Sequence, residues 1–162
     1  MTEEKFDAIV VGAGVAGSAS ALRMAQKGLQ VVLIERGPYP GSKNLSGGVL
    51  YGRVLQELIP NYWEEAPVER CITNQVVSFM TAGASFNIDF KNQAFNQPPY
   101  NAFTVLRAKF DRWLAEKAEE AGAMLVPGIK VERVLKDSSG RVIGVSAGGE
   151  EILADVVIAA DG

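Results

Sequence analysis

Three glycines, Gly12, Gly14 and Gly17, stand in GxGxxG spacing between two short apolar runs, and that arrangement limits the folds open to the chain more than any other feature. The run Phe6 to Val11 reads as a strand that stops at Gly12. Val15 to Lys27 follow with Ala, Leu and Met at helical spacing, and Gly28 sits where a helix ends. Gln30 to Ile34 form a second, β-branched run. Strand, glycine turn, helix and strand within about 30 residues predict a βαβ unit with parallel strands. The three glycines serve different ends. Gly12 turns the chain out of the strand, Gly14 lets backbone approach a pyrophosphate without a Cβ between, and Gly17 lets helix and strand pack closely. The helix N-terminus then presents free N–H groups and a positive dipole end to phosphates. Glu35, 23 residues after Gly12, ends the second strand where an acid can hydrogen-bond an adenosine ribose. A carboxylate there disfavours a 2′-phosphate, so FAD or NAD is expected rather than NADP. An unliganded glycine turn beside an ordinary surface Glu is the bland alternative.

Composition removes other classes. A net charge of −3 offers no field for nucleic-acid phosphates, and no Lys or Arg cluster resembles a nucleic-acid or membrane patch. No apolar stretch reaches the length of a transmembrane segment, and the acidic start is unlike a signal peptide, which leads to a cytoplasmic expectation. With no histidine, His-based acid–base chemistry, His metal ligation and a histidyl flavin are all excluded. Cys71 is the one cysteine, too few for an intrachain disulfide or a cysteine-ligated cluster. It reads as a small core residue, with a cysteinyl flavin as the sharper alternative. No metal site is expected.

Further along, residues 37–48 are rich in Gly, Pro, Ser and Asn and predict a long loop, a frequent location for functional residues. A helix is expected from Val49 to Leu58, and strands of a different sheet from Asn74 to Phe90. The segment Asn92 to Asn101 reads as a connector. Arg107 opens a helix carrying Phe110, Trp113, Leu114 and Ala118, with Gly122 past its end. Strands are expected near Met124–Val126, Lys130–Leu135, Arg141–Ser146 and Val156–Ala160. The chain closes on Asp161-Gly162 directly after a strand, and reads as a fragment.

Asp161-Gly162, in Val-Ile-Ala-Ala-Asp-Gly, resembles the second motif of the large FAD-dependent family that includes aromatic hydroxylases and geranylgeranyl reductases. The resemblance implies that Asp161 holds the ribityl chain. Arg107 resembles that family's helix-capping arginine near the ribityl and pyrophosphate, and Gly128 to Val131 resemble the strand whose main chain contacts adenine. Glu35-Arg36-Gly37, Pro40-Gly41-Ser42-Lys43-Asn44, Ser46-Gly47-Gly48 and Ala66-Pro67-Val68-Glu69-Arg70 are similar to the FixC-type flavoproteins, relatives of electron-transfer-flavoprotein:quinone oxidoreductase. This likeness runs from Phe6 to Gly162.

The resemblance implies an α/β chain: a Rossmann-like FAD-binding domain with an inserted antiparallel β layer near Lys130 to Ile152 and the first strands of a substrate domain. The expected division is 1–71 for the βαβ unit and flavin loop, 72–104 for the start of the substrate-domain sheet, and 105–162 for the remainder of the FAD-binding domain. FAD is the implied cofactor. Its pyrophosphate is expected on Gly12 to Gly17 and its ribose on Glu35. Ser46, Gly47 and Gly48 are expected beside the flavin ring, with Arg36, Lys43, Asn44, Arg107, Val131, Asp161 and Gly162 completing the site. The implied activity is electron transfer from an electron-transfer flavoprotein towards quinone or a ferredoxin-like protein, with peripheral membrane contact left open for the full-length protein. The rivals are a polyprenyl reductase or aromatic hydroxylase on the same scaffold, and a nucleotide-binding module without enzymatic activity.

Overall fold

In the computed structural model, which describes residues 5–162, the chain divides into two units. One runs through Leu45 and resumes at Arg107, and the other spans Ser46–Leu106. The first begins with β1 (Lys5–Val11), α1 (Val15–Ala25) and β2 (Val31–Glu35). Helix α1 buries Gly17, Ser18, Ala21, Leu22 and Ala25. These small residues at helical spacing let it lie against β1, β2 and a later helix. It stops two residues earlier than its sequence pattern suggests. Gly28 then adopts a φ of +80°, and the Leu29 N–H donates back to the Met24 carbonyl.

The second unit contains β3 (Gly47–Tyr51), α2 (Arg53–Leu58), β4 (Val68–Cys71), β5 (Asn74–Met80), β6 (Ser85–Lys91) and β7 (Ala102–Leu106). Strand β7 lies between β3 and β4, antiparallel to both. The helix expected from Val49 is therefore a strand through Tyr51 and a helix only from Arg53. Val49, Leu50 and Tyr51 are β-branched, branched and aromatic residues that find partners in Thr104, Phe103 and Ala102, and that pairing overrides their helical spacing. Because β3 and β4 both pair with β7, residues 46–71 cluster with 72–106 rather than with the βαβ unit that precedes them. Strands β5 and β6 form a separate hairpin. Val77 faces Ile88 across it and Phe79 faces Phe86, and all four side chains are at least half exposed.

The first unit resumes with α3 (Arg107–Glu120), β8 (Met124–Pro127), β9 (Val131–Lys136), β10 (Val142–Ala147) and β11 (Glu150–Ala159). Its sheet runs β8-β2-β1-β11-β10-β9. The first four strands are mutually parallel, and the last three antiparallel. The ten-residue β11 belongs to both halves: its start pairs with β10 and its remainder with β1, and Leu153 faces both Gly144 and Lys5. The expected antiparallel insertion is thus continuous with the parallel sheet. Ile9, Val32, Ile34, Val145, Ala147 and Ala154 form one buried cluster spanning four strands. No helix among the described residues is long and apolar enough to cross a membrane.

Candidate functional site

The parallel strands β8, β2, β1 and β11 deliver their carboxyl ends to one edge of the sheet. From β1 the chain proceeds to β2 on one side, while β11 closes the other. A crevice is expected at such a switch point. A cleft of about 600 Å³ opens there, lined by residues that follow β1, end β2, follow β8 and follow β11. That volume lies within the range of small-molecule and cofactor sites.

The glycine turn shapes one wall. Gly12, at φ +97°, donates its N–H to the Ile34 carbonyl at 2.7 Å. A Cβ on it would lie 2.6 Å from the Ala160 carbonyl oxygen and 2.8 Å from Asp161 Cα, so the turn and the end of β11 touch through backbone alone. Gly17 lies outside the lining. A Cβ there would collide with the Gly12 carbonyl oxygen, so its bareness lets α1 press onto the turn. Gly14 differs: it lines the cleft, its φ of −76° suits any residue, and nothing lies within 4 Å of where its Cβ would be. The bare face of Gly14 is open cleft.

Electrostatics favour an anion here. The first turn of α1 holds no acidic residue, so its positive end is not neutralised from within the helix. Arg36, Lys43, Arg107 and Lys130 line the cleft against the carboxylates of Glu35 and Asp161. This concentration of positive charge occurs in a chain whose net charge is −3.

Glu35 braces the turn as well as bordering the cleft. One carboxylate oxygen accepts the Ala13 N–H at 3.0 Å and the other accepts the Gly37 N–H at 2.6 Å. Each oxygen keeps a further lone-pair direction, so an incoming hydroxyl can still be bound. The main-chain carbonyl of Glu35 accepts from the Ile129 N–H at 3.0 Å, and that of Gly37 accepts from the Gly128 N–H at 2.8 Å. These bonds draw the start of β9, with Lys130 and Val131, to the cleft.

Arg107, the first residue of α3, grips Asp111 side-on: Nε donates to Oδ1 at 2.7 Å and an Nη donates to Oδ2 at 2.9 Å. The hydrogen bond to Asp111 holds the guanidinium pKa above its already high ordinary value, with charge attraction reinforcing it and partial burial opposing it. Asn44 Nδ2 also donates to Asp111 Oδ2. The motifs of the sequence do not single out Asp111, yet it lies completely buried. A signal existed, because its position falls on the apolar stripe of α3 between Phe110 and Leu114, where a charge needs a partner.

The cleft brings together Gly12, Gly14, Glu35, Arg36, Lys43, Asn44, Arg107, Val131, Asp161 and Gly162. Ser46, Gly47 and Gly48 belong to the second unit, where Gly47 and Gly48 pair in β3 with Leu106 and Val105. Cys71 is half-buried, with its thiol on the Phe95 carbonyl, and burial pushes its pKa up. Among the described residues, no group of three His, Cys, Asp or Glu side chains is placed to hold a metal.

A family model described as FAD dependent oxidoreductase matches residues 7–162. Over 162 residues the chain is 48% identical to Protein FixC of Escherichia coli (strain K12), covering 100% of this chain and 38% of that protein. It is 47% identical, with the same coverage, to the probable electron transfer flavoprotein-quinone oxidoreductase YdiS of Escherichia coli (strain K12). The chain therefore spans about 38% of the length of these curated relatives. Among solved structures, a geranylgeranyl bacteriochlorophyll reductase-like protein from Thermoplasma acidophilum matches with a TM-score of 0.80 at 27% identity, covering 99% of this chain and 40% of that one. The myxobacterial FAD-dependent halogenase CndH matches with a TM-score of 0.74 at 24% identity, over 98% of this chain and 38% of its own, which speaks to fold alone.

Proposed function

The chain belongs to the FAD dependent oxidoreductase family, and from that premise we propose that the cleft holds FAD, with the pyrophosphate over Gly12 to Gly17 and the adenosine ribose on Glu35. The observation that carries this reading is the open face of Gly14 beside an α1 N-terminus free of acidic residues. Phosphate oxygens there would accept N–H bonds from the first turn of α1 at the positive end of its dipole. Glu35 would accept a ribose hydroxyl while holding the turn in shape. Arg107 has five N–H donors and uses two on Asp111, so the others can reach the pyrophosphate and ribityl side. Asp161, beside the glycine turn just past β11, would accept from ribityl hydroxyls, and the main chain near Val131 would meet the adenine. When bound, FAD supplies the exchange between one-electron and two-electron chemistry.

For the full-length protein, the reading is that electrons arrive from an electron-transfer flavoprotein and leave towards quinone or a ferredoxin-like acceptor. Identity of 47–48% to FixC and to a probable electron transfer flavoprotein-quinone oxidoreductase supports it. The likeness to a geranylgeranyl bacteriochlorophyll reductase-like structure favours a second reading, reduction of a polyprenyl double bond. Stopped-flow reduction of the full-length protein separates them. Rapid reduction by a reduced electron-transfer flavoprotein, with slow reduction by NAD(P)H, is expected. Rapid reduction by NAD(P)H, or reoxidation by a polyprenyl substrate, would sink the electron-transfer reading.

A further inference from the structure

We propose that Asp111 is the positioning residue of the cleft: one buried carboxylate aims Arg107 at the pyrophosphate side and docks the 41–44 loop beside it. The proposal rests on the reading that the cleft holds FAD. Its geometry is that of a shared latch. Arg107 Nε and Nη bind the two carboxylate oxygens at 2.7 and 2.9 Å, and Asn44 Nδ2, from a segment 67 residues away, binds one of the same oxygens. The Asp111 side chain is 0% exposed, whereas that of Arg107 is 35% exposed and lines the cleft. The buried end of the pair is thus the anchor, and the guanidinium is the part left facing a ligand.

The loop's fit against α3 is independent of that hydrogen bond. Gly41 adopts φ +81°, and a Cβ there would lie 2.8 Å from the Ala108 carbonyl oxygen and 3.1 Å from Asp111 Cβ. The Asn44 N–H closes the turn on the Gly41 carbonyl at 2.9 Å. Loop backbone therefore sits directly on the first turn of α3, and Asn44 reaches from it to Asp111. Side-on pairing also fixes the plane of the guanidinium, which a single contact would leave free to rotate.

The test uses the full-length protein, titrated with FAD and separately with AMP, which lacks the pyrophosphate linkage and the ribityl half. In Asp111→Asn an amide N–H₂ must face donors on Arg107 or Asn44, so one side of the latch opens. FAD binding should weaken about 10- to 100-fold, the loss expected from misplacing charge-assisted hydrogen bonds, while AMP binding changes less than about threefold. The weakening should persist at roughly 1 M salt, where screening removes the attraction of the uncompensated Arg107 charge. Asn44→Asp combined with Asp111→Asn exchanges donor and acceptor at the Asn44 contact alone. Because Arg107 Nη shares that oxygen, the side-on grip stays broken and FAD affinity should remain reduced, and full recovery of affinity would overturn the role given to Arg107. If Asp111→Asn fails to fold, Asn44→Ala leaves the ion pair whole and should show the same split between FAD and AMP on a smaller scale. Unchanged FAD affinity in Asp111→Asn, or equal loss of FAD and AMP, would overturn the proposal while leaving the cofactor reading intact. Wild-type protein that binds neither ligand would remove both.

Discussion

Gly14 and Gly17 are three residues apart at the start of one helix, yet they should respond oppositely to substitution. For Gly17→Ala, the new Cβ meets the Gly12 carbonyl oxygen and lies 3.3 Å from Val10 Cγ1. The first obstacle is backbone and cannot swing aside as a flexible side chain would. Forcing the helix off the turn should cost about 1–3 kcal/mol or more, a large part of the roughly 5–15 kcal/mol that domains possess. For Gly14→Val, the new Cβ meets nothing within 4 Å, and the φ of −76° is unstrained. Valine is a poorer helix N-cap than glycine by up to about 1 kcal/mol, and the stiffer unfolded chain returns roughly 0.4–1 kcal/mol. The net change in stability should stay within about 1 kcal/mol. FAD binding should collapse, because a branched side chain would stand between the pyrophosphate and the α1 N–H groups. Losing two charge-assisted hydrogen bonds at about 1.5–3 kcal/mol each corresponds to a loss of roughly 10²- to 10⁴-fold. Urea melts of the ligand-free proteins and quenching of flavin fluorescence measure the two effects separately. Gly14→Val protein with FAD affinity near that of the parent would refute the placement of the pyrophosphate. Gly17→Ala protein as stable as the parent would refute the packing argument.

Further outcomes follow from other contacts. Glu35→Gln can satisfy only one of the Ala13 and Gly37 N–H groups, and should lower the unfolding free energy by about 1–3 kcal/mol even without ligand; unchanged urea melts would mean that Glu35 does not brace the turn. Tyr62 is completely buried with no hydrogen-bond partner for its hydroxyl among the described residues, so Tyr62→Phe should be neutral or stabilising by about 1 kcal/mol, and a lower Tm would refute this. Hydrogen bonding and charge attraction from Lys5 hold the exposed Asp155 carboxyl below its ordinary range. A depressed folded-state pKa contributes stability above the unfolded value that is lost as pH falls through the folded one. Lys5→Met should therefore raise the Asp155 midpoint in an NMR titration and flatten the acid side of the stability profile, and an unmoved midpoint would show that the pair does not form in solution.

Local signals are strong where one short segment both forms an element and meets its partner. The first 35 residues are the clearest case: glycine turn, small-residue helix face and buried Val31 to Ile34 all declare themselves in place. The β3 strand does not, since Val49 to Tyr51 become a strand only through partners more than 50 residues later. The same holds for β11, whose apolar run from Val156 does not reveal that the strand starts at Glu150 and serves a parallel neighbour and an antiparallel one. At the cleft, residues within recognisable motifs were legible. Asp111 was not, because its importance arises from meeting Asn44 across the fold, and its one local trace is a charge on the apolar stripe of a helix.

The doubly paired β11 also sets a timetable for synthesis. Strand β1 emerges first but pairs with β11, and the register of Lys5 with Leu153 spans 148 residues. At about 5–20 residues per second, the earliest strand waits roughly 7–30 s for that neighbour. Until then one edge of β1, including Ile9 and Val10, lacks its eventual cover, whereas β9, β10 and β11 can form a meander from adjacent sequence as soon as they appear. Ribosome-stalled chains should stay protease-sensitive in β1 until β11 has left the exit tunnel and become resistant abruptly afterwards; early resistance would mean that β1 is sheltered by other contacts. The wall formed by Asp161 and Gly162 emerges at that same moment, so closure of the sheet and completion of the cleft lining should coincide in the nascent chain.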